Sequence, residues 1–196
     1  ITFIGCGPCH PIMATAKTGS FYLNETVTLT AASASASRVT GTLDLSAYVN
    51  VPTGQAIAID QVDFIYQQGS MYKSAVNGML DGNGSLGVQV TDLNPGNAFV
   101  RADDQSLVAS GSLSIDIANN IASHVSDLYP DNFGPSGLSD MFIVVNDQLY
   151  LTAGPDAADT NLTTSVYVTA RIRARVVKLS SKDWMAVAIQ STAADN

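Results

Sequence analysis

Apolar and polar residues alternate with a period of two along much of this chain. The clearest case is Ser165 to Val177. Val166, Val168, Ala170, Ile172, Ala174 and Val176 fall on one side, and Tyr167, Thr169, Arg171, Arg173 and Arg175 on the other. Successive side chains of a strand point to opposite faces. The pattern therefore predicts a strand with one buried face and one face that is wet or meets a partner. Thr26 to Thr30 is β-branched and alternates, and Arg38 to Leu45 places Val39, Leu43 and Leu45 on one side. Ala56 to Gln67 changes phase partway. Ile57 and Ile59 share one phase and Val62, Phe64 and Tyr66 the other, so a bulge or twist is expected near Asp60. Leu86, Val88 and Val90 alternate after the turn Asp81-Gly-Asn-Gly84, and so do Leu113, Ile115 and Ile117. Met141 to Val145 is a short continuous apolar run. Asn146-Asp147, between it and Gln148 to Thr152, reads as a hairpin.

Two stretches read as helix, Asn119 to Leu128 and Ser180 to Gln190. In the second, Ser180 and Asp183 stand at capping-box spacing, with Asp where Glu or Gln is usual. Trp184, Val187 and Ala188 would then face the domain. About eight strands with turn signals between them, no βαβ rhythm and no internal repeat predict an all-β, antiparallel β-sandwich of jelly-roll type with a short C-terminal helix. The 196 residues suit one such unit. Residues 1–25, rich in turn formers, are expected to be an extended leader or arm. Residues 26–191 are expected to form the sandwich, and 192–196 a frayed tail.

Composition narrows the function classes. Charged residues are 13% of the chain, against a usual level of about 25%. Ser, Thr, Asn and Gln take their place. Such surfaces suit faces buried by neighbouring subunits, and also secreted proteins. The formal charge of −8 argues against strong nucleic-acid binding over the whole surface, because phosphate contacts need Lys and Arg. No apolar run reaches the roughly 18–20 residues of a membrane helix. Ile1 to Ile4 are too few for a signal-peptide core.

The sharpest local motif is Cys6-Gly-Pro-Cys9-His10, which has the C-x-x-C-H pattern of c-type haem attachment. There, two thiols add to the haem vinyl groups and the adjacent imidazole ligates the iron. His124, or one of Met13, Met71, Met79, Met141 and Met185, would supply the second axial ligand. Other readings stay open. The four residues CGPC match the thioredoxin redox motif, but Pro11 follows directly and no buried strand and helix frame it. A disulfide is a further reading, and so is a chance match in a leader that packs nothing. A zinc site would need four ligands, and the supply is thin.

Arg171, Arg173 and Arg175 form a basic stripe. It reads as a solvated outer sheet face or as a subunit contact, since three arginines give weak phosphate affinity. The acids Asp81, Asp92, Asp103, Asp104, Asp127, Asp131, Asp140, Asp147, Asp156 and Asp159 sit mostly in loops, where turn chemistry explains them. Asp81-Gly-Asn-Gly84 lacks the downstream ligands of a calcium loop. His124 could serve a Ser–His–Asp triad, but no G-x-S-x-G elbow accompanies it. Asn24, Asn83 and Asn161 open N-glycosylation sequons. No constellation of catalytic residues emerges, so an enzyme is not expected.

Three stretches carry a family resemblance: MATAKTGSFYLNETVTLTA from Met13, VTGTLDLSAYVNVPTGQAIAIDQVDFIYQ from Val39, and SVYVTARIRARVVKLSSKDWMAVAIQS from Ser165. In their short strands, Ser/Thr/Asn loops, late long strand and C-terminal helix they resemble jelly-roll major capsid proteins of tailless icosahedral viruses. The resemblance spans residues 13–191 and holds no fixed motif, so no family residue carries over. It implies a shell-forming subunit of a virion, in trimeric or hexameric capsomers, with copies of itself and other structural proteins as partners. The leader departs from it. If Cys6, Cys9 and His10 hold haem c, the alternative is an exported mono-haem subunit of an extracellular filament. Its residues 1–23 would pair with the next subunit's sheet.

Overall fold

The computed structural model describes residues 14–126, 142–156 and 161–192. Their strands are β1 (Ala14–Ala16), β2 (Phe21–Leu29), β3 (Val39–Asp44), β4 (Gln55–Gln68), β5 (Gly84–Thr91), β6 (Leu107–Asp116), β7 (Ile121–Ser126), β8 (Phe142–Val144), β9 (Gln148–Asp156) and β10 (Val166–Leu179). One helix, α1 (Ser181–Thr192), follows β10. Among the described residues the strands form two sheets. The first has the order β1-β10-β4-β8, with β2 also on β10; the second is β3-β9-β5-β6-β7. Every pairing is antiparallel. The pairs nest: β5 with β6, β4 with β8, β3 with β9, β2 with β10. A long ribbon whose tip is the β5–β6 hairpin is thus wrapped so that its strands alternate between two packed sheets. That is the jelly-roll topology.

The core lies between the sheets and is built by the period-two pattern. Val166, Val168, Ala170, Ile172, Ala174 and Val176 of β10 are all buried there. Leu86, Val88 and Val90 of β5 face them from the second sheet, with Leu149, Leu151 and Ala153 of β9. The phase change in β4 is a real bulge. Arg173 pairs with Gln61 and Ala174 with Ile59, so Asp60 has no partner in the ladder. The extra residue lets Ile57 and Ile59 share the inner face with Val62, Phe64 and Tyr66.

The helix at Ser180 forms as its cap implies. The Asp183 backbone N–H donates to Ser180 Oγ at 3.1 Å, and Ser180 Oγ donates to Asp183 Oδ2 at 2.8 Å. Trp184, Val187 and Ala188 pack on Ala56, Ala58, Val177 and Leu179. These are outward positions of β4 and β10, so α1 covers one end of the first sheet's outer face.

Four local expectations are corrected. Strand structure begins at Ala14 and Phe21, ahead of the first strand signal at Thr26. Ladder bonds to β10 hold these residues, and no local signal announces such pairing. Asn119 to Leu128 is not helical at its described positions: β7 occupies Ile121–Ser126 and pairs with β6. Asn120 takes the left-handed conformation (φ 55°) and Asp116 accepts the Asn119 N–H at 3.2 Å, which turns the chain back as a hairpin. Ile117 lies at that turn and is 39% exposed, not in the core. Asn146-Asp147 does not close a hairpin either. β8 pairs with β4 and β9 with β3 and β5, so the chain crosses between sheets here. The apolar run is continuous because Val144 enters the main core while Val145 packs under α1.

Candidate assembly face

The two outer faces of the sandwich are finished differently. On the second sheet Gly87 of β5 pairs with Gly154 of β9, leaving a window without side chains. Phe99 fills it: a Cβ on Gly87 would meet the Phe99 ring at 2.7 Å. Arg38 lies over that ring at 4.2 Å and donates to Pro155 O at 2.8 Å. Its guanidinium also reaches Asp156 at 3.3 Å. Gln89 locks the same loop by donating to Val100 O (3.0 Å) and accepting from its N–H (2.8 Å). Loops therefore cover much of this face, and Thr152 beneath them is fully buried.

On the first sheet α1 covers only one end. Next to it stands a charge cluster. Asp60, thrown outward by the bulge, is 2% exposed. Arg175 Nη2 donates to its Oδ2 at 2.9 Å and Oδ1 at 3.1 Å, Ser20 Oγ donates to Oδ2 at 3.1 Å, and Arg173 Nε lies 3.8 Å from Oδ2. The segment between β1 and β2 straps over this point: Lys17 N–H donates to Val176 O, and the Val176 N–H donates to Thr18 Oγ1. The stripe of three arginines is thus split. Arg173 and Arg175 are turned to Asp60 within the subunit. Arg171 is exposed and lies over the Tyr22 ring at 4.2 Å. The sequence placed the arginines on one face but missed Asp60. Its only signal was an acid at the phase slip of an otherwise apolar stretch.

Beyond the cluster no described segment packs over the outer face. Tyr22, Arg173 and Gln61 stand in one row across β2, β10 and β4; Asn24, Arg171 and Asp63 in the next; Thr26, Thr169 and Ile65 in the third. Tyr22 is 50% exposed, Ile65 40%, Met71 77% and Tyr72 58%. Tyr72 meets Tyr167 edge to face at 5.1 Å, and Thr26 and Thr169 share a hydroxyl hydrogen bond of 2.9 Å. A cleft of about 390 Å³ opens at the far end, lined by Gln68, Gly69, Met71, Lys73 and Thr163. It gathers no acid or imidazole.

Cys6, Cys9, His10, Met13 and Met141 lie outside the described residues. His124 sits opposite Leu113 on β7, and its ring stands edge-on to Tyr66 at 5.8 Å. Met79 is fully buried in the core, whereas Met71 and Met185 are exposed. Among the described residues no three His, Cys, Asp or Glu side chains gather as metal ligands. Asp44 and Asp104 serve turns, accepting the N–H of Ser46 and Ser106 at 2.8 Å, whereas Asp81 accepts the Asn161 N–H at 2.8 Å and ties together segments far apart in the chain. The Ser46 backbone bond holds the Asp44 carboxyl below its usual range, and the Asn119 side chain does the same for Asp116. Glu25 takes an inward position of β2, and partial burial raises its pKa. No described helix is long and apolar enough to cross a membrane.

No family model matches the chain. No curated protein matches it. Solved structures similar to it include VP1 of Trichodysplasia spinulosa-associated polyomavirus, with a TM-score of 0.41 and 10% identity over 86% of this chain and 99% of that one. Merkel cell polyomavirus VP1 has a TM-score of 0.37 and 9% identity over 86% of this chain and 100% of that one. Turnip yellow mosaic virus has a TM-score of 0.32 and 10% identity over 92% of this chain and 89% of that one.

Proposed function

We propose that this chain is a structural subunit that assembles with copies of itself into a virion shell. The observation that carries this reading is the part of the first sheet's outer face over which no described segment packs. It exposes Tyr22, Ile65 and Tyr72 beside Arg171, while loops pack over part of the opposite sheet. Aromatic residues, Met and Arg are the types enriched where proteins meet, and Lys and Glu are depleted there. The outward positions of β2, β4 and β10 in these rows hold no Lys or Glu. The jelly roll supplies a rigid block with two broad faces, suited to packing side by side in a closed shell. The low charge density reduces the desolvation cost of burying such faces.

The test is direct. The purified full chain is examined by sedimentation velocity and negative-stain microscopy across salt and concentration. Discrete closed particles or capsomers are expected. A monomer at every concentration would remove the reading.

A second reading rests on Cys6-Gly-Pro-Cys9-His10. In it the chain is an exported subunit of an extracellular filament, with haem c on Cys6 and Cys9 and His10 as an axial ligand. The visible spectrum of protein from its native source separates the two. A Soret band surviving denaturation supports haem, and absorption from Trp and Tyr alone leaves the shell subunit.

A further inference from the structure

Among the described residues β2 is paired along one side only, to β10. Its other side is an edge, a row of backbone donors and acceptors open to a further strand. The inward positions of β2 are Phe21, Leu23, Glu25, Val27 and Leu29, and Glu25 is the one charge among them. Its side chain runs between the two sheets. A Cβ on Gly41 of β3 would stand 2.7 Å from Glu25 Oε1 and 2.8 Å from Val27 Cγ1, so β3 has no side chain where the carboxylate lies. No ionisable group faces it from the strands packed there: β10 sets Ala170 opposite Glu25, β3 sets Gly41 over it, and β9 sets Leu151 beside Gly41. Arg171 and Asp44 take outward positions on β10 and β3, and Arg38 turns to Phe99 and Asp156. Glu25 makes no salt bridge among the described residues. Burial without a counter-charge raises its pKa.

An acid in this place weakens the fold and serves no partner within it. Its position along β2 supplies a role. Glu25 is the midpoint of the strand, with four of the nine residues on either side. Two β2 edges paired antiparallel over their full length are related by a two-fold axis that passes between the two Glu25 residues, normal to the sheet, so inward faces stay inward. Phe21 of each copy then stands opposite Leu29 of the other, Leu23 opposite Val27, and Glu25 opposite Glu25. Directly opposed side chains have Cβ atoms about 4.5–5.5 Å apart, and like charges there repel. The added strand would also close the edge past which each carboxylate reaches water, leaving two unpaired buried charges. A register slipped by two residues sets each Glu25 against Leu23 or Val27 and still buries it. We propose that Glu25 guards the β2 edge: ionised, it forbids two copies from joining their first sheets into one continuous sheet, and neutral, it permits the joint. The other inward residues of β2 are apolar and favour such a joint. The guard operates whether or not the chain forms a shell through its other surfaces.

The test uses the full chain at neutral pH. Glu25→Gln keeps the size of the side chain and removes its charge. Its self-association, read by sedimentation equilibrium, is expected to be at least about tenfold tighter than that of the wild type, because no buried charge opposes it. Hydrogen exchange of the peptide 21–29 locates the contact. Protection there is expected to rise with protein concentration in E25Q more than in the wild type. Glu25→Lys is the control. Its ammonium also needs water when the edge closes, and two lysines also repel, so it is expected to associate and exchange like the wild type. Assembly through other surfaces is common to all three chains and leaves the comparison intact. E25Q that associates like the wild type would overturn the proposal. So would tighter association without added protection of β2, or E25K that behaves like E25Q. Should E25Q lack the native circular dichroism, Glu25→Thr, an uncharged strand former, replaces it with the same expectations.

Discussion

Asp60 and Arg175, 115 residues apart, are joined by two contacts from one guanidinium nitrogen, at 2.9 and 3.1 Å. The carboxylate is buried and the arginine side chain 27% exposed. A β-bulge on β4 lies at this point: Asp60 has no partner in the ladder, and it and Gln61 both turn outward between the inward Ile59 and Val62. Removing the acid leaves two arginines close together without their counter-charge. Asp60→Asn should destabilise the fold by about 3 kcal/mol, the lower end for a broken buried pair since both arginines keep some solvent. Urea denaturation with an unchanged m-value measures it. A loss below about 0.5 kcal/mol, the level of an ordinary surface change, would show that the cluster is not structural.

Ile172 is 1% exposed at the centre of β10's inner face. Ile172→Asp puts an unpaired charge in the core and should cost more than about 4 kcal/mol. Insoluble or unfolded protein is expected. Soluble protein with native circular dichroism would mean that the two faces of β10 are assigned the wrong way round.

Glu25 should make stability depend on pH with a known sign. Its folded pKa lies above the unfolded value, chiefly through burial. The folded state therefore holds the proton more tightly. The stabilisation this brings is full below the unfolded pKa and is lost as pH rises through the folded one. Glu25→Gln should accordingly raise the melting temperature at neutral pH and change it less at pH 4. Equal shifts at both pH values would show that the carboxyl titrates as it does in the unfolded chain.

The cap of α1 should matter at the end where it covers the sheet. Ser180→Ala removes the acceptor of the Asp183 N–H and should cost about 1 kcal/mol. Because Trp184 packs at this end of the helix, its fluorescence should report the loosening before the whole sandwich melts. A single coincident transition by fluorescence and far-ultraviolet circular dichroism would show that the helix end does not open separately.

The first sheet's outer face and the charge cluster were unequally legible. Arg171, Arg173 and Arg175 share a phase, so their common face could be read from spacing alone. Their division into two roles could not. It depends on Asp60 and Tyr22, which lie on other strands far away in the chain. Tyr72 and Met71 gave no signal, because exposure of an apolar residue in a loop is a tertiary property.

Side-chain alternation, a phase slip and a cap are local, and local geometry obeys the chain's own spacing. The sequence by itself therefore determined that β10 is a two-faced strand, that β4 bulges at Asp60, and that a capped helix follows Ser180. Strand pairing is different. An alternating segment presents the same backbone donors and acceptors to any partner, so spacing cannot say which one it takes. Only the tertiary structure decided that β8 and β9 enter different sheets although two residues join the apolar runs. It likewise decided that Ile121–Ser126 is a strand on β6 and not a helix. The nested order β2–β10, β3–β9, β4–β8 and β5–β6 was decided in the same way, since it buries the inner faces of both sheets at once and no segment can express that alone.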